Sequence, residues 1–174
     1  KDGSGNKTLN AVTTTSNHSQ PSTSGDLAPC PSPSRLLQVW DPEDYEGYVL
    51  GLDTGGFTFH DIGMLWGARL MSPTGLFAAH NAVENDNVQR HMIFMTDGAT
   101  NANSAALSAY GLPWYDRLQT DSGSPPTTDQ LNTLTNERTL ALCDAVKNMN
   151  VTLWVISYGA GVDTATNDRL EECA

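Results

Sequence analysis

Long apolar runs are missing from this chain of 174 residues. None approaches the roughly twenty apolar residues that a helix needs to span a bilayer, so we expect no membrane-spanning helix within the chain. Basic residues are also scarce, because nine Lys and Arg stand against twenty Asp and Glu and give a net charge of -11. A surface of that sign repels phosphate backbones, so we predict no nucleic-acid partner.

Sizeable aliphatic side chains are almost absent from the first 35 residues. This segment is rich in Ser, Thr, Asn, Gly and Pro and contains only Leu9, Val12 and Leu27 as larger aliphatics. It buries too little apolar area to offset its chain entropy, so we predict a mobile low-complexity segment over residues 1–35. Residues 36–174 are long enough for one globular domain. Because the chain begins at Lys1, we interpret it as a mature or excised fragment.

Cysteine is limited to three residues, Cys30, Cys143 and Cys173. Cys143 lies late in the helix predicted before residues 151–156, and Cys173 lies late in the helix predicted after them. Right-handed crossovers place such helices side by side, so these two thiols could meet. They either form a disulfide, which suits an oxidising compartment, or pack as two free thiols. Cys30 would then be left over.

Short apolar runs predict the strands. Residues 92–95 and 151–156 are uninterrupted runs of the kind that is buried on both faces of a parallel sheet, and residues 36–40 predict a further short strand. Helices alternate with these runs, which favours an α/β fold with a parallel sheet and crossover helices. Their predicted starts are Asp41, Ile62, the residues behind a Thr127–Gln130 capping box, and Asp163 or Thr164. The aromatic residues predicted to lie in the core are Trp40, Tyr45, Tyr48, Trp66 and Trp154.

Two oxygen-bearing side chains are predicted to meet at one edge of this sheet. Asp97 follows the apolar run at residues 92–95, and Thr58 lies in a loop before the helix that begins near Ile62. Open α/β sheets place their ligands at the carboxyl ends of the strands. A hydroxyl and a carboxylate are hard ligands that suit Mg²⁺. The simpler alternative is that Asp97 only caps the next helix or turn.

These residues resemble the metal-ion-dependent adhesion site of von Willebrand factor A domains. Residues 55–58 (Gly-Gly-Phe-Thr) and 94–98 (Phe-Met-Thr-Asp-Gly) are similar to its second and third motifs. Over about residues 30–174, the chain further resembles the TadG-like proteins of the bacterial tight-adherence (Flp) pilus system. The matching residues are Cys30-Pro31, residues 58–69 (Thr-Phe-His-Asp-Ile-Gly-Met-Leu-Trp-Gly-Ala-Arg), residues 70–77 (Leu-Met-Ser-Pro-Thr-Gly-Leu-Phe), Tyr110-Gly111, Arg138, Cys143 and Glu172-Cys173-Ala174.

The resemblance implies a three-layer, Rossmann-like fold with a mostly parallel sheet, here incomplete. It implies a non-enzymatic adhesion and assembly module that binds protein partners through Mg²⁺, or Mn²⁺ or Ca²⁺. Thr58 and Asp97 would contribute to the metal site, Asp97 through water, and an acidic side chain of the partner would complete the shell. The location implied is the bacterial cell envelope, periplasmic or surface-exposed, with an inner-membrane anchor outside this chain.

The first motif of the family, Asp-x-Ser-x-Ser at the end of a central strand, has no good counterpart. Asp2-x-Ser4-x-Asn6 lacks both the strand before it and the final Ser. We therefore interpret residues 36–174 as the C-terminal part of such a domain. Because Thr58 and Asp97 are too few ligands for tight binding, we expect metal occupancy in this chain to be weak or absent.

Two other functions fit parts of the sequence. One is a metal-independent structural domain of the cell envelope. The other is an HD-type metal phosphohydrolase, suggested by His60-Asp61, which would need further His and Asp ligands on other helices. Because the remaining histidines, His18, His80 and His91, are scattered, we predict no enzymatic activity. The simpler interpretation is that Asp61 caps the Ile62 helix and His60 lines the loop.

Overall fold

The computed structural model describes residues 32–52, 56–82, 88–104, 106, 108–113, 119–120 and 124–174. Most of the low-complexity segment, residues 1–31, lies outside the described residues, and with it lie Cys30 and Asp2-x-Ser4-x-Asn6. The elements are α1 (Pro42–Leu50), α2 (His60–Met71), α3 (Ala78–Asn81), β1 (Arg90–Gly98), α4 (Thr128–Asn148), β2 (Val151–Gly161) and α5 (Thr164–Cys173). This mixture of helices and strands agrees with the α/β class predicted from the sequence.

The two strands pair in parallel and form a small sheet. The pairing runs in register from Arg90 opposite Val151 to Thr96 opposite Ser157, and then shifts so that Gly98 lies opposite Gly161. Helix α4 connects the end of β1 to the start of β2, as a parallel pair requires. The carboxyl ends of both strands therefore lie at one edge of the sheet, which we call the carboxyl edge.

One face of the sheet packs against helices α2, α4 and α5. Alternate residues of the strands, such as Met92 and Leu153, point to this face and are buried. They join one hydrophobic cluster with Met64 of α2 and Val146 of α4. The period of two along each strand thus places one set of apolar side chains under the helices.

The other face of the sheet is exposed among the described residues. The expectation that both strands are buried on both faces is therefore wrong for this part of the chain. Successive side chains of a strand point to opposite faces, so an uninterrupted apolar run gives the sheet two apolar faces. Here the described helices cover one of these faces and leave the other exposed. These side chains and their exposed fractions are Ile93 61%, Met95 57%, Trp154 54%, Ile156 43% and Tyr158 53%.

The segment before α1 departs from the prediction. Residues 36–40 form no strand, and Val39 is fully exposed. The apolar composition is present, but among the described residues no strand lies beside this segment to hydrogen-bond with it. The start of α1 is as predicted, because the Asp41 side chain accepts a hydrogen bond of 3.0 Å from the Glu43 amide.

The aromatic residues are less buried than predicted. Helix α1 buries no residue, and Tyr45 is mostly exposed. Tyr45 instead meets Trp40 edge-on and Tyr48 meets it in a tilted arrangement, with ring centroids 6.0 and 5.4 Å from the Trp40 ring. Trp66 is also exposed and carries the Arg69 guanidinium over its ring at 5.1 Å. Trp40 and Tyr48 are half-buried, Tyr45, Trp66 and Trp154 are exposed, and none of the five belongs to the hydrophobic cluster, so the core prediction is wrong for them.

Local sequence signals define the helix starts in α4 and α5. The Thr127 side chain accepts from the Gln130 amide at 3.2 Å, and the Gln130 side chain accepts from the Thr127 amide at 2.9 Å, which confirms the capping box. Asp163 accepts from the Thr166 amide at 2.7 Å. Helix α2 begins at His60, two residues before the predicted start. In the described part of the chain, no helix combines the length and apolarity that crossing a membrane requires.

A disulfide joins the C-terminal halves of two helices. Cys143 of α4 and Cys173 of α5 are bonded, with their Cα atoms 5.2 Å apart. Both are buried in the hydrophobic cluster beneath the sheet. Of the two alternatives open at the level of sequence, the structure therefore has the disulfide.

Candidate functional site

Backbone pairing fixes Thr58 beside the end of β1. The Thr58 amide donates to the Asn101 carbonyl and the Asn101 amide donates to the Thr58 carbonyl, both at 3.0 Å. Asn101 lies three residues after Gly98, the last residue of β1. Since the paired bonds hold the two loops together, Thr58 lies at the carboxyl edge.

Asp97 lies at the same edge. It is the penultimate residue of β1, and its side chain is exposed. Thr58 is half-buried and is paired to a residue only a few positions further along the chain from Asp97. The two residues that the sequence singled out thus both lie at the carboxyl edge of the sheet.

A bulge in β2 surrounds Asp97. Between the last regular pair and the Gly98–Gly161 pair, one residue of β1 opposes three of β2. Gly159 has a φ of 88°, and a Cβ there would lie 3.4 Å from the Asp97 carbonyl oxygen. Bulges often occur beside functional sites, because they redirect the strand locally. Two glycines within one strand, Gly159 and Gly161, are the sequence signal that indicates such a bulge.

Gly161→Ala is expected to lower the free energy of unfolding by about 1–3 kcal/mol. The new Cβ would lie 2.8 Å from the Asp97 carbonyl oxygen and 3.2 Å from the Gly98 Cα, so backbone atoms must move. Urea unfolding measures the change. The control is Gly47→Ala in α1, where nothing lies within 4 Å of the new Cβ and alanine favours the helix. Equal stability of Gly161→Ala and the wild type would contradict the close packing around Asp97.

A buried histidine links the residues on either side of Asp97 at the carboxyl edge. His60, only 7% exposed, lies with Nε2 3.0 Å from the Thr96 hydroxyl and Nδ1 3.2 Å from the Thr100 hydroxyl. Its ring also meets the Phe94 ring edge-on at 5.5 Å between centroids. His60 therefore joins the start of α2 to both sides of Asp97. Sequence reasoning placed His60 in a loop and missed this role, because its partners lie 36 and 40 residues away.

Both ring nitrogens of His60 lie within hydrogen-bonding distance of a threonine hydroxyl. The Thr96 hydroxyl donates to the Gly98 carbonyl at 3.0 Å, so its oxygen accepts from Nε2–H. The Thr100 hydroxyl donates to Asn136 Oδ1 at 2.6 Å, and its oxygen lies 3.2 Å from Nδ1. Burial lowers the pKa of His60, the positive charge of Arg169 lowers it further, and a contact with the Gly98 backbone partly opposes them.

Lowering the pH from about 7.5 to about 5.5 is expected to cost the wild type up to roughly 1.4 kcal/mol more than His60→Gln. The folded-state pKa of His60 lies below the unfolded value of 6.5, so the unfolded chain takes up a proton that the folded chain does not. Stability is therefore full above that value and falls as the pH drops toward the folded pKa. Urea unfolding at both pH values measures the difference. A His60→Gln variant that keeps the pH dependence of the wild type would contradict the account.

Asp61 lies at the centre of a second buried cluster. Its side chain is fully buried, accepts 2.9 Å hydrogen bonds from the Tyr110 hydroxyl and the Ile62 amide, and lies 3.7 Å from the Arg138 guanidinium. That guanidinium also covers the Tyr110 ring at 4.7 Å. Burial raises the pKa of Asp61, whereas the bonds from Tyr110 and Ile62 and the charge of Arg138 lower it. The cluster ties α2 and α4 to the loop at Tyr110.

The cap that we expected from Asp61 is replaced by this cluster. Helix α2 has Phe59 at its N-cap position, without a side-chain hydrogen bond, and the Ile62 amide is the one backbone amide of the first turn that donates to the Asp61 side chain. His60 and Asp61 are adjacent in the chain but contact different groups, hydroxyls in one case and a phenol and a guanidinium in the other. Among the residues that the structure describes, no group of three or more His, Cys, Asp or Glu is arranged to hold a metal ion.

An open cleft extends from the bulge toward the start of α5. Its volume is about 460 Å³, and it lies at the carboxyl edge on the β2 side. The exposed Tyr158 ring and the Asn167 amide give it mixed chemistry. Its lining residues are Ser157, Tyr158, Gly159, Val162, Asp163, Thr164 and Asn167. The carboxyl edge therefore combines oxygen groups with space for a bound partner.

The chain was compared with protein-family models, curated proteins and solved structures. No family model, curated protein or solved structure matches the chain. The interpretation of the carboxyl edge therefore rests on its own residues and on the resemblance of their motifs.

Proposed function

We propose that this chain is part of a non-enzymatic adhesion and assembly module of a bacterial tight-adherence (Flp) pilus system. In this proposal the carboxyl edge binds a protein partner through a metal-ion-dependent adhesion site. The observation that supports it is the pairing of Thr58 with Asn101, because it brings the Thr58 loop to the end of the strand that bears Asp97. The von Willebrand A-like motifs at these two positions give the same assignment.

The donor chemistry at the edge fits a hard divalent cation of the Mg²⁺, Mn²⁺ or Ca²⁺ type. Thr58 would offer its hydroxyl, and the exposed Asp97 would hold the ion through water. A bound cation supplies positive charge and an open position for an Asp or Glu carboxylate of the partner. Two side chains are few for such an ion, so we propose weak binding in residues 1–174 and a fuller ligand set where an Asp-x-Ser-x-Ser motif is present.

The three-layer von Willebrand A-like architecture is part of the same proposal. The described residues contribute a helix layer, formed by α2, α4 and α5, and a parallel sheet. In a three-layer domain a second helix layer would lie over the exposed face of the sheet. We further propose a cell-envelope location with an anchor outside this chain, which the Cys143–Cys173 disulfide supports, because disulfides persist in oxidising compartments.

Capture of an envelope protein with and without a chelator tests this function. We expect the immobilised full-length protein to retain a partner in Mg²⁺ and to release it in EDTA. Asp97→Ala should lose the partner, whereas Asp168→Ala, at an exposed acid of α5, should keep it. Retention of the same partner by Asp97→Ala would contradict the proposal.

A metal-independent structural domain of the envelope is the second candidate. The observation that favours it is the set of direct bonds around the carboxyl edge, where His60, Thr96 and Thr100 hold the loops together through their own side chains. In that case the partner is retained equally in Mg²⁺ and in EDTA. The chelator experiment therefore distinguishes the two candidates.

A further inference from the structure

Two asparagines lie one turn apart on one face of α4. Asn132 and Asn136 occur within the helix Thr128–Asn148, where asparagine is disfavoured because its side chain competes for backbone hydrogen bonds. Residues four positions apart on a helix lie on the same side of it. Both of these side chains are half-buried, and both contact residues 99–102, which follow β1. We call the two residues the asparagine pair.

Each member of the asparagine pair accepts one hydrogen bond from the segment after β1. The Ala102 amide donates to Asn132 Oδ1 at 2.8 Å, and the Thr100 hydroxyl donates to Asn136 Oδ1 at 2.6 Å. Ala102 is only 1% exposed, and a buried N–H group without an acceptor is strongly disfavoured. Helix α4 therefore holds this segment at two points that are two residues apart.

The residue between these two points is the one that pairs with Thr58. Asn101 lies between Thr100 and Ala102, and it exchanges two backbone hydrogen bonds of 3.0 Å with Thr58. Because both neighbours of Asn101 are bonded to α4, its backbone has little freedom to move. The place of Thr58 at the carboxyl edge thus depends on the asparagine pair.

The contact at Asn136 continues to the strand that bears Asp97. The Thr100 hydroxyl oxygen lies 3.2 Å from His60 Nδ1, and His60 Nε2 lies 3.0 Å from the hydroxyl of Thr96, the residue before Asp97. One connected set of side-chain contacts therefore runs from α4 to β1. The asparagine pair is linked in this way to the segments that carry both Thr58 and Asp97.

We propose, on the basis of the proposed function, that the asparagine pair consists of positioning residues for the cation site. The two side chains set the distance between the Thr58 segment and the end of β1 without contacting the cation. Replacing groups that hold metal ligands in place commonly lowers metal affinity by about 10–100-fold. A site with two protein ligands depends on such support, because the spacing of the ligands must be set by the protein.

Mg²⁺ titration of the 174-residue chain, followed through the NMR shifts of the Thr58 and Gly98 amides, tests the asparagine pair. Asn132→Leu and Asn136→Leu keep the approximate size of the side chain and each remove one acceptor. We expect roughly tenfold weaker Mg²⁺ binding in each of them. Asn132→Asp retains an oxygen acceptor for the Ala102 amide, so it should bind Mg²⁺ at least as tightly as the wild type.

A control separates positioning from a general loss of stability. Val146→Ala, about four turns further along α4, removes buried apolar atoms from the hydrophobic cluster and should leave Mg²⁺ binding unchanged. Hydrogen exchange gives a second measurement that needs no ion. Asn132→Leu should speed exchange of the Thr58 and Asn101 amides relative to those of β2, and Val146→Ala should not. In the wild type, the Ala102 amide should exchange many-fold more slowly than an unprotected amide.

Three results would overturn the asparagine pair as positioning residues. The first is a folded Asn132→Leu or Asn136→Leu chain that binds Mg²⁺ as tightly as the wild type. The second is an Asn132→Asp chain that binds Mg²⁺ as weakly as Asn132→Leu. The third is an unprotected Ala102 amide in the wild type, which requires no substitution.

A wild-type chain without any Mg²⁺-dependent shift would instead contradict the adhesion function. The exchange rates then decide the asparagine pair without the ion. Faster exchange of the Thr58 and Asn101 amides in Asn132→Leu would support their positioning by α4, and unchanged exchange would overturn it.

Discussion

Replacing Cys143 and Cys173 together with serine is expected to lower the free energy of unfolding by roughly 3–4 kcal/mol. The disulfide closes a loop with a sequence separation of 30, and a chain without it gains conformational freedom when unfolded. The bond also joins α4 to α5 inside the hydrophobic cluster, where the two cysteines are fully buried. Urea unfolding of the wild type and the double variant measures the effect.

Reduction of the intact wild type is the matched control for the double substitution. Addition of dithiothreitol should bring the wild type to the stability of the double variant and leave the double variant unaffected. A wild-type chain whose unfolding does not respond to the reductant would show that the bond contributes little.

Tyr110→Phe is expected to lower the free energy of unfolding by about 1–3 kcal/mol. The change removes the hydroxyl that donates to the fully buried Asp61 carboxylate and leaves the shape of the aromatic ring at position 110 the same. Tyr158→Phe, at an exposed tyrosine, is the matched control and should change stability little. Equal effects of the two substitutions would contradict the role assigned to the Asp61 cluster.

The pH dependence gives a second test of the same cluster. Burial raises the folded-state pKa of Asp61 above its ordinary value of 3.8, and the Tyr110 bond opposes that rise. Without the bond, the folded-state pKa rises further, so the folded variant takes up a proton at a pH where the unfolded chain does not. The deficit of Tyr110→Phe should therefore shrink as the pH falls through that folded-state pKa toward 3.8. A deficit independent of pH would indicate a loss of packing only.

The elements that the sequence predicted well are those with local signals. The capping box at Thr127 and the caps at Asp41 and Asp163 involve residues two or three positions apart, and each is present in the structure. The apolar runs at residues 92–95 and 151–156 likewise became paired strands. Chain topology then sufficed to place Thr58 and Asp97 at one edge of the sheet.

What the sequence could not predict depends on distant neighbours. An apolar run indicates that a segment prefers burial, but it does not indicate which element covers it. The strand predicted at residues 36–40 is therefore absent, and the face of the sheet opposite the helices is exposed among the described residues. The contact between Asp61 and Tyr110 spans 49 residues, and that between Trp154 and His91 spans 63. No local pattern encodes such pairs. The bulge around Asp97 arises where β1 ends against β2, and each strand alone gives only the glycines as a hint.

The most direct test of the cation site is Mn²⁺ titration of the ¹⁵N-labelled chain, observed by NMR. Two protein ligands predict binding no tighter than roughly 10⁻⁴–10⁻³ M. We expect paramagnetic broadening centred on the amides of Thr58, Asp97 and Gly98, its loss in Asp97→Ala, and its persistence in Asp168→Ala. Broadening that is centred on other acidic residues and survives Asp97→Ala would contradict a cation site at the carboxyl edge.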